Sequence, residues 1–151
     1  MKQLKIALAN ILLTFSILFV LYLTLIPHGI IHTGNVAGTP VQHFTINLNP
    51  LVIFKNFQSA SLFYFIVDDL GNIMLFLPFG FFLAMRYPQF HWAHALFMGA
   101  LFSATIEWVQ LFLPNRMTDI DDVILNTTGA VLGYMFYRFV QREEHNGQEQ
   151  R

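Results

Sequence analysis

The sequence predicts an all-α integral membrane protein: a bundle of four transmembrane helices with a long extracytoplasmic loop between the first and the second. Three observations carry that expectation. The 151-residue chain is 55% hydrophobic and 16% aromatic but only 11% charged, where soluble domains carry about 25% charged residues. Its apolar residues gather into four runs, each near the length that crosses a ~30 Å hydrocarbon core. Proline, glycine and polar residues punctuate the gaps between them. A formal net charge of −1 provides no whole-molecule field to attract nucleic acid. The chain has no cysteine, which excludes disulfide and thiolate chemistry. Residues 1–151 read as a single domain.

The first span is expected over residues 4–26, behind Lys2 and Lys5. Its apolar core exceeds the roughly 7–15 residues of a signal peptide, and Ile26-Pro27-His28-Gly29 offers no cleavage site, so it is expected to stay attached. Asn10 and Thr14, four residues apart, are expected to face another helix. From Pro27 to Ser61 six prolines and glycines predict a connecting loop. Within it the stretch from His43 to Phe54 mixes apolar and polar residues and suits a segment at headgroup level or dipping against the helices. His28 and His32 stand four apart, but the glycines beside them argue against a helical metal-ligand pair. The second span is placed at residues 62–86, with Asp68, Asp69 and Asn72 in its first half. Pro78, which lacks a backbone donor, is expected to kink it. The third span, residues 93–113, is closed by Pro114-Asn115. The fourth covers residues 120–140, and residues 141–151 form a charged cytoplasmic tail. Phe79, Phe81, Phe82 and Phe102 read as packing and lipid contact.

Lys2, Lys5, Arg86, Arg138 and Arg142 fall at one end of these spans, and Lys55 and Arg116 at the other. The positive-inside rule then places both termini in the cytoplasm. Alternating spans bring the start of the second, the end of the third and the start of the fourth to the outer face. Asp68, Asp69, Asn72, Glu107, Gln110, Arg116, Asp119, Asp122 and Asn126 thereby share one layer. At 1.5 Å rise per residue Glu107 lies about 9 Å inside the end of its span, with Ser103 and Gln110 on the same face. Asp122, Asn126, Gly129 and Gly133 form a second stripe, whose Gly-x-x-x-Gly spacing admits a close neighbouring backbone.

An ionisable group inside an apolar span is costly and marks a site. Other readings of these residues stand beside that one. Asp119, Asp121 and Asp122 open a helix, and Thr118-x-x-Asp121 resembles a capping box, so helix capping explains them as well. Glu107, late in its helix, gains nothing from the helix dipole; its alternatives are a static ion pair with Arg116 or a carboxyl kept neutral by burial.

Four blocks of sequence resemble the VanZ-like membrane proteins: Asn47-Leu48-Asn49-Pro50; Asn72 to Gly80, ending Leu77-Pro78-Phe79-Gly80; Ile106-Glu107-Trp108-Val109-Gln110; and Thr118 to Val123 with Asn126-Thr127-Thr128-Gly129. The resemblance covers about residues 45–135. It implies a multi-pass protein of the bacterial cytoplasmic membrane linked to cell-envelope properties or to susceptibility to glycopeptides such as teicoplanin. No reaction is attached to it.

The residues allow three kinds of function. One is binding of an envelope lipid or lipid-linked headgroup in the acidic pocket, through Asp69, Asn72, Gln110, Arg116, Asp119 and Asn126. Another is a membrane-embedded enzyme acting on a phospholipid or lipid-linked phosphate, with Glu107 and Asp122 as candidate catalytic residues and Glu107 as general acid or base. In either, a divalent cation, Mg²⁺ or Ca²⁺, would suit the carboxylate and amide oxygens, and Arg116 would grip the phosphate. Ser103 and Thr118 have no evident base to make them nucleophiles. A small transporter is the third kind, less favoured because the spans show no repeat.

Overall fold

A computed structural model of the chain describes residues 2–26, 44–50, 69–114 and 116–149. Among them are four helices, α1 (Lys2–Leu25), α2 (Gly71–Arg86), α3 (Trp92–Gln110) and α4 (Ile120–Glu149), and two short strands, β1 (Thr45–Asn47) and β2 (Met117–Asp119). The all-α class is borne out. Among the described residues one helix, over Gln3–Leu25, is by length and composition apolar enough to cross a membrane, and α2 is a shorter apolar helix. Asp68, the His28 and His32 pair, Lys55 and the first part of the expected second span lie outside the described residues.

The helices form because their apolar side chains recur with the helical period. In α1, Ala9, Ser16 and Val20 are buried, whereas Leu4, Leu8, Ile11, Phe15, Leu18 and Tyr22 are exposed. The buried face lies mainly on α2. Asn10 does reach another helix, accepting a hydrogen bond at Oδ1 from Arg86 Nε; Thr14 is exposed instead. α2 runs unbroken through Pro78. A short turn leads to α3, whose start is capped by His91 and His94: the His91 backbone N–H donates to His94 Nδ1 at 3.1 Å.

α4 is the hub, packing along both α2 and α3. Its Gly129 and Gly133 press on the α2 backbone so closely that a Cβ would collide with the carbonyl oxygens of Ile73 and Leu77. Gly80 of α2 meets the Ala130 carbonyl in the same way. The Gly129-x-x-x-Gly133 stripe thus does what its spacing predicts, and α2 is its partner. Val20, Phe76, Phe79, Leu83, Ile106 and Ala130, one or more from each helix, make the core. Phe102 joins it, with ring centroids 5.3 Å from Phe76 and 5.2 Å from Phe79; such pairs add about 0.5–1.5 kcal/mol each beyond the area they bury. Phe81 touches Phe82, Phe136 and Tyr137.

Two features depart from expectation. α4 does not give way to a loose tail at residue 141 but winds on through Glu149. Gln141, Arg142, Glu143 and Glu144 are good helix formers, and the end expected at Val140 marked the end of the apolar run, not a helix stop. The long loop also contributes a strand. β1 pairs in parallel with β2, Thr45 opposite Met117 and Asn47 opposite Asp119. Phe44, just before β1, takes a positive φ of 60°, a conformation rare for a bulky residue. Its ring packs edge-on against Phe112 at 5.9 Å.

Candidate functional site

The polar side chains meet at the end of the bundle where α3 closes and α4 begins. On α3, Ser103, Glu107 and Gln110 share one face and are 0%, 4% and 6% exposed. The inner stripe of α4 presents Asp122 and Asn126. Asn126, 2% exposed, donates from Nδ2 to Ser103 Oγ at 2.9 Å, while its Oδ1 has no donor among the described residues. From α2, Asn72 Nδ2 donates to Asp122 Oδ1 at 2.7 Å. Glu107 lies within electrostatic reach of Asp122, Asp119 and Arg116. Side chains from α2, α3 and α4 are therefore brought together at this end of the helices.

Glu107 also seats β2. Its Oε2 accepts the Asp119 backbone N–H at 2.9 Å, and its carbonyl accepts the Thr118 hydroxyl at 2.9 Å. Asp119 then works in two directions. Its Oδ1 takes the Asp121 N–H at 2.9 Å, capping α4, and its Oδ2 takes Asn47 Nδ2 at 2.9 Å, tying on β1. The cap is accordingly Asp119, one residue beyond the Thr118 that the sequence pattern suggested, because Thr118 spends its hydroxyl on Glu107. Asn47 completes its own turn by accepting the Asn49 N–H at 3.2 Å.

Arg116 and Gln110 converge on α1. Arg116 Nη2 donates to the Thr24 carbonyl at 2.8 Å, and Gln110 Nε2 to the same oxygen at 3.0 Å. Thr24 stands in the last turn of α1, where unsatisfied carbonyls carry the negative end of the helix dipole, a favourable place for a cation. Burial pulls the Arg116 guanidinium below its usual range, and the nearby Glu107 and Asp122 carboxylates oppose that. It stays charged. Arg116 and Glu107 attract each other through space, but each is bonded elsewhere, so the direct ion pair weighed from sequence does not form.

Of the residues singled out from sequence, Asn72, Glu107, Gln110, Arg116, Asp119, Asp122 and Asn126 all belong to this network. Asp69 is half-buried in the turn that opens α2, three residues before Asn72. Sequence reasoning did not name the Thr24 carbonyl, because a main-chain acceptor leaves no trace in residue identity. Asn47 was visible only as part of a motif. A divalent cation fits poorly here: the Glu107, Asp119 and Asp122 oxygens named above already face N–H donors, and no group of three His, Asp or Glu able to hold a metal occurs among the described residues. Replacing Asn47 by Ala removes a charge-assisted bond worth about 1.5–3 kcal/mol. Hydrogen exchange across residues 117–119 should accelerate while α2 protection stays unchanged.

A family model described as VanZ/LLP1 matches residues 13–141. The chain belongs to the VanZ/LLP1 family. Every site residue named above lies within the matched stretch. Among curated proteins this VanZ/LLP1 chain is similar to Protein VanZ of Enterococcus faecium, 29% identical over 93 residues, which are 62% of this chain and 52% of that protein. It thus spans about half the length of the curated relative it matches. No solved structure matches it.

Proposed function

We propose that this VanZ/LLP1 chain is a four-pass protein of the bacterial cytoplasmic membrane, both termini in the cytoplasm, whose outer polar chamber binds a phosphate-bearing headgroup of an envelope lipid or lipid-linked precursor. Through that binding it influences envelope properties and susceptibility to glycopeptides such as teicoplanin. The observation that carries the reading is Arg116: a half-buried guanidinium whose one hydrogen-bond partner among the described residues is a neutral carbonyl, beside a buried polar layer. Arginine held in this way suits bidentate recognition of a phosphate.

Membrane embedding is supported by the outward faces. Phe15 on α1, Phe97 and Trp108 on α3 and Phe139 on α4 are each more than 60% exposed, and stripes of this kind call for an apolar surrounding. A second reading, a membrane-embedded enzyme acting on a lipid phosphate with Glu107 as general acid or base and Asp122 beside it, is favoured by one fact. Among the described residues only Oε2 of Glu107 is hydrogen-bonded, which leaves Oε1 for a substrate.

The test is purification from native membranes with lipid phosphorus counted per protein and the retained lipid identified. Arg116→Gln should lower the count by about one lipid per chain at unchanged elution volume. An unchanged count in that variant removes the headgroup reading.

A further inference from the structure

We propose that Arg86 and Arg138, at the end of the bundle opposite Glu107, form a binding site for the phosphate of an anionic phospholipid. Arg86 ends α2, and Arg138 lies on α4 level with the turn between α2 and α3. Both guanidiniums bracket that turn. Arg86 Cζ sits 4.6 Å from the centroid of the Tyr87 ring, and its Nε donates to Asn10 Oδ1. Arg138 Nη1 donates to the Pro88 carbonyl at 3.2 Å, and its Cζ lies 5.9 Å from the Tyr134 ring. Tyr134 is in turn held by its hydroxyl, which donates to the Phe90 carbonyl at 2.9 Å.

Every one of these partners is neutral. The contacts fix the direction of the two cations without cancelling their charge, and neither forms an ion pair with a carboxylate among the described residues. Arg142, four residues beyond Arg138, adds like charge on the same face of α4, an arrangement that costs free energy unless an anion sits beside it. The acidic groups Glu143 and Glu144 are exposed and begin about 7.5 Å beyond Arg138 along the helix, directly after Arg142. Basic charge is thus nearest the apolar surface, and acidic charge is farther out. Beside Arg86, Phe90 stacks on Tyr87 with ring centroids 4.8 Å apart and on His94 at 4.6 Å, the kind of amphipathic aromatic cluster that marks a headgroup boundary. A lipid phosphate at that depth would meet the nitrogens of both arginines that no described residue occupies, while its chains would lie along the exposed apolar faces.

The experiment uses the full chain in nanodiscs of phosphatidylcholine with added phosphatidylglycerol, released into native mass spectrometry. Wild type should retain phosphatidylglycerol over phosphatidylcholine. Arg86→Gln with Arg138→Gln should retain about tenfold less, equivalent to about 1.4 kcal/mol, and the paired Lys variants, which keep the charge, should retain an intermediate amount. An equal thermal midpoint for the Gln and Lys pairs shows that the loss is not unfolding. No preference in wild type, or equal retention by the Gln pair, overturns the proposal. Displacement of the lipid by millimolar inorganic phosphate also overturns it, in favour of a site for a free anion. Arg116 is untouched in these variants, so this result and that of the outer chamber fall independently.

Discussion

Replacing Gly133 by Ala should separate α2 from α4 and cost the protein most of its thermal stability. The usual sign of such a change is the opposite, since Ala is favoured over Gly inside a helix by about 1 kcal/mol. Here the new methyl would collide with the Leu77 carbonyl oxygen and crowd the backbone nitrogen of Phe81. Neither is the end of a flexible side chain, so the helices must move apart as bodies. Overpacking of this kind costs about 1–3 kcal/mol and at times more. The loss would also reach the polar end, because the Asn72 to Asp122 bond spans the same two helices. Gly147 is the control, having nothing within 4 Å of an added Cβ; Gly147→Ala should be neutral or mildly stabilising. Melting midpoints of the two variants in one detergent decide the matter, and a Gly133→Ala protein as stable as wild type would refute the close packing.

Glu107→Gln is expected to lower headgroup retention by about tenfold or more while leaving the fold in place. Glutamine keeps a side-chain oxygen to accept the Asp119 N–H, so the seat of β2 survives. What disappears is the second carboxylate oxygen, Oε1, as an acceptor for a hydroxyl or ammonium group of the headgroup, since glutamine puts an N–H donor in its place. A charge-assisted hydrogen bond to a ligand contributes about 1.5–3 kcal/mol, so retention should fall by about tenfold or more. Glu107→Leu separates the two roles: it leaves the buried Asp119 N–H unpaired at a further cost of about 1–3 kcal/mol, so the melting midpoint should drop as well. Retention by Glu107→Gln equal to wild type would remove Glu107 from the site.

The parts of this arrangement that could be read from sequence are those that repeat with a period. Ser103, Glu107 and Gln110 fall on one helical face by counting, as do Asp122, Asn126, Gly129 and Gly133, and both stripes point inward as counted. β1 and β2 are three residues each, too short to show an alternation, and they pair across a separation of about 70 positions. Nothing local marks them as strands. The capping residue was displaced by one because Thr118 had a competing partner on another helix. The end of α4 was set too early because an apolar run and a helix are bounded by different forces: solvent stops the first, and only lost propensity or a cap stops the second.

The shared Thr24 oxygen has a consequence for how the first helix is indexed. Two side chains 86 and 92 residues beyond Thr24 point at its one main-chain oxygen, so they register the rotation of that helix about its own axis, whatever side chain Thr24 carries. With 3.6 residues per turn, a slip of a single residue would swing the next carbonyl round by about 100° and carry it away from both donors. The N-terminal helix is therefore keyed to the polar end like a tooth in a ratchet, with the arginine and the glutamine as its paired pawls.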